Sequence, residues 1–491
     1  MQPGPSVRRQ PDPGSLRTAQ GDRPGRRGRT GRLEPELGRG RACPVRGRGW
    51  RRRELVVLRP QQQPDRSRRG GPDHCRRLSR HPCSTEPRLG GGPPALRRSP
   101  KADRHYQHQA RGVRVVKVLV QQPALQRATA RVVSAVERRN TIPILSNVLL
   151  RAAGDRLSIT ATDLDIEVVE KLPAEIVQEG EFTVSAATLA EIARNAPPGA
   201  ELAIEWASHD DPRATVKFGR SRYQLPILPA GDFPIRGDLT EAVSLTLDAA
   251  VLHRLLDRVH FAQSTDETRY YLNGVHLCMV SDEGERVLRT VATDGHRMVR
   301  DQTPCGDTER MPSVTIPRKA ANEMRRILAD LKDAVTLEVA STGLALHTGT
   351  GRLITKALDG SYPDYERITP RQWDREITID RALFKEAIKR VSLISGEKSR
   401  SVKMTIADEV LTLTVRNMEA GVAAEEIEVR GEGPSFETGF NAKYLLDLLD
   451  QTDADQMLFR VTEPGSPARL DPGPGAKNAE GLVNIVMPVR V

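Results

Sequence analysis

The chain has 491 residues, too many for one hydrophobic core, since single cores stop growing at roughly 250–300 residues. Its net charge of +11 is unevenly placed: residues 1–115 hold 29 Lys and Arg against 9 Asp and Glu, and residues 116–491 hold 46 against 55. That split excludes a uniformly basic nucleic-acid binder, and the lack of any run near the roughly 20 apolar residues of a membrane span excludes a membrane helix.

Residues 1–115 are crowded with Arg, Gly and Pro, hold one lysine (Lys101), and show no sustained apolar period. Such a segment cannot bury enough surface to offset its ordering entropy, so disorder is expected. It reads either as a nucleic-acid-binding arm or as translated upstream DNA, with "VKVLV" at Val116 suiting an alternative start; the second reading is preferred. His74, Cys75, His81 and Cys83 are metal-like in type but lack the paired spacing of a zinc site. Five scattered cysteines suit reduced thiols in a cytoplasm, and "ELVVL" is too short for a signal sequence. A cytoplasmic protein is expected.

From Val116 onward one phrase, an alternating strand followed by an amphipathic helix, is written three times: "VKVLVQQPALQRATARVVSAV", "VSLTLDAAVLHRLLDRVHFA" and "EITIDRALFKEAIKRVSLIS". A second strand-helix phrase follows each: "EFTVSAATLAEIARNAP", "SVTIPRKAANEMRRILADL" and "FETGFNAKYLLDLLDQT". Repeats of this length are whole domains rather than solenoid units. The expected fold class is α+β, with three repeated domains at 116–241, 242–374 and 375–491. Each would pack two helices on antiparallel sheets with one wet and one dry face.

Aligning the first helices places a basic pair at i, i+4 three times: Arg127 and Arg131, Arg254 and Arg258, Lys385 and Lys389. Arg138, Arg139, Lys319, Arg325, Arg326, Lys398 and Lys443 add charge in or beside helices, while strands and loops are acidic. Basic helices on an acidic body suit phosphate contacts that read no base sequence and permit sliding. If the helices line a ring, six of them, each about 10 Å across, leave a hole of about 9 Å, and twelve leave about 28 Å. Only the second admits a duplex, so a head-to-tail homodimer follows from the ring.

The segments "NTIPILSNVLL", "TRYYLNGVHL", "TVATDGHRM", "DGSYPDYERI", "ETGFNAKYLLDLL" and the apolar ending "VNIVMPVRV" closely resemble the bacterial sliding clamp, the β subunit of DNA polymerase III. The resemblance covers 116–491. It implies a ring of two three-domain chains with helices inside, acting as a processivity factor on double-stranded primer-template DNA. It also implies a hydrophobic cleft between the second and third domains. There the DNA polymerase III α subunit, the clamp loader δ subunit, other polymerases and repair proteins would dock linear motifs. One lobe would be Leu272, Thr293, Gly295, His296, Arg297, Met298, Pro363, Arg367 and Ile368. The other would be Asn441, Tyr444, Ile485, Val486, Met487, Pro488, Val489, Arg490 and Val491. Val489 and Val491 stand where relatives carry Met and Leu, which should deepen the pocket. Arg297 and Arg367 are expected to orient a partner's polar atoms.

For DNA the resemblance points to Arg139 and to Arg269, Tyr270 and Tyr271, since Tyr beside Arg can stack on bases and reach phosphates. For ring closure it points to Leu393 and Ile394, with Phe233 proposed for the first domain's side. No cofactor, metal or membrane partner is expected.

Two other readings stand beside this one. Asp294 and His296 in "TDGHR" could form a metal or acid-base pair, but no second cluster stands at ligand spacing, and no P-loop, dinucleotide motif or nucleophile elbow is present. Polymerase activity would then belong to holoenzyme partners rather than to this chain. The alternative is an arginine-rich nucleic-acid-binding protein acting through residues 1–115.

Overall fold

The computed structural model describes residues 116–137, 141–207, 212–306, 311–396, 400–477 and 479–491. The arm, the His74–Cys83 cluster, Arg138, Arg139 and Lys398 lie outside them.

Six strands each feed a helix. Val116–Gln121 leads into α1 (Gln122–Val132), Gly180–Ser185 into α2 (Ala186–Asn195), and Val243–Asp248 into α3 (Ala249–Val259). Val314–Pro317 leads into α4 (Arg318–Leu328), Arg375–Asp380 into α5 (Arg381–Val391), and Phe436–Asn441 into α6 (Ala442–Leu449). Capping residues stand at several of these junctions. Ser185, Asp380 and Asn441 accept hydrogen bonds from the backbone N–H of Thr188, Leu383 and Lys443, and a proline opens α1.

α1, α3 and α5 bury the same four stations: Leu125, Ala128, Thr129 and Val132; then Leu252, Leu255, Leu256 and Val259; then Phe384, Ala387, Ile388 and Val391. That is one stripe at i, i+3, i+4, i+7, each large apolar member worth about 1.5–3 kcal/mol on burial. The helices pack in pairs, α1 on α2, α3 on α4 and α5 on α6, against the dry faces of the sheets. None of the described helices is long and apolar enough to cross a membrane.

Every strand ladder is antiparallel, and two sheets run through the joints between repeats. Gly351–Lys356 of the second repeat pairs with Ile166–Pro173 of the first, in register from Gly351↔Glu170 to Thr355↔Ile166. Val483–Val486, near the chain's end, pairs with Arg297–Arg300 of the second repeat. Much of the apolar ending is thus a strand that fastens the third repeat to the second.

The common register corrects one expectation. Counting from the first helical residue, Arg131, Arg258 and Arg390 are equivalent, so the basic residue of α5 in this place is Arg390, not Lys389. All three hold a carboxylate at the fifth residue of a strand: Arg131–Glu170 at 3.3 Å, Arg258–Asp301 at 3.4 Å and Arg390–Glu425 at 2.5 Å.

Candidate functional site

At the second joint the loop Thr293–Arg297 is tied by its own side chains. Thr293 Oγ1 donates to the Arg297 carbonyl (2.7 Å), and Asp294 Oδ1 accepts from the N–H groups of His296 (2.9 Å) and Arg297 (3.0 Å). Gly295 sits at φ +85°, the left-handed region that favours glycine, and a Cβ there would also have to displace the end of the Arg269 side chain. The loop lifts His296 outward, its ring stacked near that of Tyr444 at 6.1 Å, and the Met487 N–H donates to the His296 carbonyl (2.8 Å).

Arg297 departs from its expected role. Its side chain is 7% exposed, donates to Asp294 (3.1 Å), Asp447 (2.5 Å) and the Phe261 carbonyl (3.0 Å), and lies between the Phe261 and Tyr444 rings. It clasps the two repeats together and is not a free donor to a partner. Arg367 is 84% exposed and, among the described residues, pairs with Asp364 alone (2.8 Å).

The other nominated residues divide into floor and rim. Met298 and Ile485 join Val291, Cys278, Tyr365 and Val483 in a small apolar cluster; Leu272, Thr293 and Val486 are also buried. Gly295, His296, Pro363, Arg367, Ile368, Arg490 and Val491 are exposed, while Asn441, Tyr444, Met487, Pro488 and Val489 are half-buried. The linker between the repeats crosses this floor. Tyr362 stacks on His276 at 4.4 Å, and burial pushes the His276 imidazole down to about 4 and the Tyr362 hydroxyl upward. Glu366 pairs with Arg289 (2.5 Å) and Arg300 (3.0 Å), which fixes the turn Tyr365–Ile368 and turns Arg367 and Ile368 outward.

Sequence reasoning missed Gly439. The Val489 N–H donates to the Gly439 carbonyl (2.8 Å), and a Cβ at Gly439 would lie 2.2 Å from Val491 Cγ1. The tail therefore lies directly on bare backbone. The only available signal was an isolated glycine in the strand of "ETGFNAKY".

The helical cations are less free than expected. Arg131 is tied to Glu170 and Thr350, and Arg254 and Arg258 both face the fully buried Asp301. Burial pushes the Asp301 carboxyl up, while the two arginines pull it down. Lys385 pairs with Asp450. Arg127 is exposed, Lys389 pairs only with Glu386 of its own helix (2.7 Å), and Arg269 is braced by Asp266 (3.0 Å). Tyr270 is 52% exposed and meets the half-buried Tyr271 edge-on.

Several of the described strands keep an unpaired side, and two of these lie on the first and third repeats. Ser221–Leu228 pairs fully with Arg213–Phe218 on one side, but on the other only Ile227 and Leu228 find partners. Gly421–Glu428 pairs only with Val410–Asn417. Leu393, 83% exposed, sits in a turn packed on that second strand, with Ile394 half-buried beside it. Phe233 is corrected: it is 5% exposed, buried within the single chain in the linker between the first two repeats, and so offers almost no surface to a second copy. The exposed aromatic on the first repeat's free edge is Tyr223, stacked on Phe218 at 5.7 Å.

Three family models match in succession: the N-terminal domain of the DNA polymerase III beta subunit over 116–237, its central domain over 246–364 and its C-terminal domain over 366–490. The beta sliding clamp of Caulobacter vibrioides (strain NA1000 / CB15N) is 46% identical over 379 residues, spanning 77% of this chain and 100% of the relative. That of Escherichia coli (strain K12) is 33% identical over 377 residues, with 77% and 100% coverage. The crystal structure of the sliding clamp from Caulobacter crescentus superposes with a TM-score of 0.72 at 44% identity, covering 76% of this chain and all of that one. A Pseudomonas aeruginosa clamp bound to griselimycin gives 0.71 at 34% identity, covering 77% and 100%.

Proposed function

The chain belongs to the DNA polymerase III β-subunit family, the bacterial sliding clamps, and from that premise we propose how its own residues close the ring, meet DNA and receive partners. It is a sliding clamp of DNA replication: it encircles duplex DNA without reading sequence and gives the replicative polymerase its processivity. Clamps are processivity factors rather than enzymes, and polymerase chemistry resides in the holoenzyme partners.

The observation that carries the assembly is the pair of free edges. Gly421–Glu428 of one copy continues the sheet of Ser221–Pro226 in the other, head to tail, with Leu393 and Val422 covered on one side and Tyr223 on the other. Arg220 and Arg222 beside the first edge oppose Glu426 and Glu428 on the second. Arg127, Lys389, Arg269 and Tyr270 meet the duplex and its junction with single strand, whereas Arg131, Arg254, Arg258 and Lys385 hold helices in place. Arg139 keeps the role the resemblance implies. The floor of Met298, Ile485 and Leu272 receives apolar side chains of linear motifs from the polymerase α subunit, the loader δ subunit, other polymerases and repair proteins. Residues 1–115 are dispensable, and the protein works in the cytoplasm at the nucleoid.

The test is topological. Residues 116–491, loaded by a clamp loader, should stay on nicked circular DNA and slide off after linearisation. Equal dissociation from both forms would reject encirclement, and loss of all DNA association on removing 1–115 would favour the arm.

A further inference from the structure

Beside the peptide cleft, behind His296 and Tyr444, lies a separate polar cavity of about 320 Å³. Its origin shows when the two joints are compared. At the first joint the loop Thr162–Ile166 is tied as Thr293–Arg297 is: Thr162 Oγ1 donates to the Ile166 carbonyl (2.9 Å), and Asp163 Oδ1 accepts from two backbone N–H groups. There Lys319, the second residue of α4, closes the joint by pairing with Asp163 (2.5 Å) and donating to the Ala135 carbonyl (2.8 Å). Lys443, the second residue of α6, is its counterpart. At this joint Arg297 replaces Ile166 and takes Asp294 for itself, leaving Lys443 without a carboxylate partner among the described residues.

The cavity thus carries surplus positive charge. Asp294 is spent on Arg297 and the loop, and Asp266 on Thr268 and Arg269. Arg318, exposed on the cavity wall, has no ion pair among the described residues, as Lys443 has none. An independent feature points to an occupant: Gln263 is 4% exposed and lines the cavity, its Nε2 donates to the His260 carbonyl (2.8 Å), and its buried Oε1 accepts no hydrogen bond among the described residues. Burying an acceptor without a partner is unfavourable. An occupant that brings an N–H for Gln263 and an anion for Arg318 and Lys443 completes the site. A peptide bearing an acidic side chain has both.

We propose that this cavity reads an Asp or Glu side chain of the partner peptide docked in the neighbouring cleft, with Arg318 and Lys443 taking the carboxylate and Gln263 accepting a peptide N–H. This rests on the cleft's being the peptide site, with which the cavity shares His296 and Tyr444. It would give the clamp a means of ranking partners whose apolar anchors are alike.

The experiment uses fluorescein-labelled peptides with two large apolar anchors and one Glu scanned through three positions on either side, each with a Gln control. Anisotropy is read on the full chain and on the Arg318→Gln/Lys443→Gln variant. At one position Glu should bind about tenfold more tightly than Gln, and the variant should erase that advantage while leaving the Gln peptide unchanged. Binding of all peptides with no Glu advantage at any position overturns the proposal and spares the cleft. Failure of every peptide to bind rejects the cleft reading, and the proposal with it. A labelled oligo-dT strand is the third arm: if the variant weakens it while the Glu advantage persists, the cavity serves nucleic acid and the proposal falls.

Discussion

Arg297 of the second repeat and Asp447 of the third stand 2.5 Å apart across the joint, with the arginine pinned between two aromatic rings. Asp447→Ala leaves a buried guanidinium short of one partner and should lower stability by about 3 kcal/mol, measured by denaturant unfolding. Peptide affinity should fall with it, because Tyr444 loses its support. Unchanged unfolding would mean that the pair does not hold the joint.

Removing residues 487–491 should abolish peptide binding and leave the dimer intact, since the fastening strand ends at Val486. Gly439→Val should mimic the truncation by displacing Val489 and Val491. Peptide titration by anisotropy, with light scattering as the control for assembly, checks both.

Acid should loosen the linker under the cleft. His276 is held neutral at about 4 when folded against about 6.5 when unfolded, so the native state binds fewer protons between those values. Burial penalises only the charged imidazole, so the group costs nothing above pH 6.5 and lowers stability by about 2–3 kcal/mol as pH falls from 6.5 towards 4. His276→Phe keeps the stack on Tyr362 without the titration, so the drop in melting temperature from pH 7.5 to 5 should be smaller in the variant. Equal drops would refute the assignment.

Leu393→Glu should weaken the dimer roughly 100-fold, by losing apolar burial and placing a charge at the seam. Because the side chain is exposed in the single chain, the fold should be unaffected. Analytical ultracentrifugation across concentration reads the shift; a stable dimer would place the seam elsewhere.

The repeat was legible because its signals are local: alternating strands, each followed by an amphipathic helix, recurring in the same order. The register of α5 was not, because Lys389 and Arg390 are adjacent cations and only the position of the first helical residue separates them. Arg297 misled for a different reason. Its partner Asp447 lies 150 residues away, and no local pattern distinguishes a clasp from an exposed donor. For Phe233, nothing local separates an aromatic that anchors a linker from one that meets a partner, and the fold buries it.

The ladders that cross both joints have a mechanical consequence. Bending the chain at either joint must shear backbone hydrogen bonds along five residue pairs at the first and four at the second, with Arg297 reinforcing the latter. Each subunit therefore behaves as one stiff link, and compliance is concentrated at the two latches between subunits. On the proposed reading, a loader prying the assembly apart would work against those latches, and a peptide grip built across an unyielding joint would be preserved while the ring stood open.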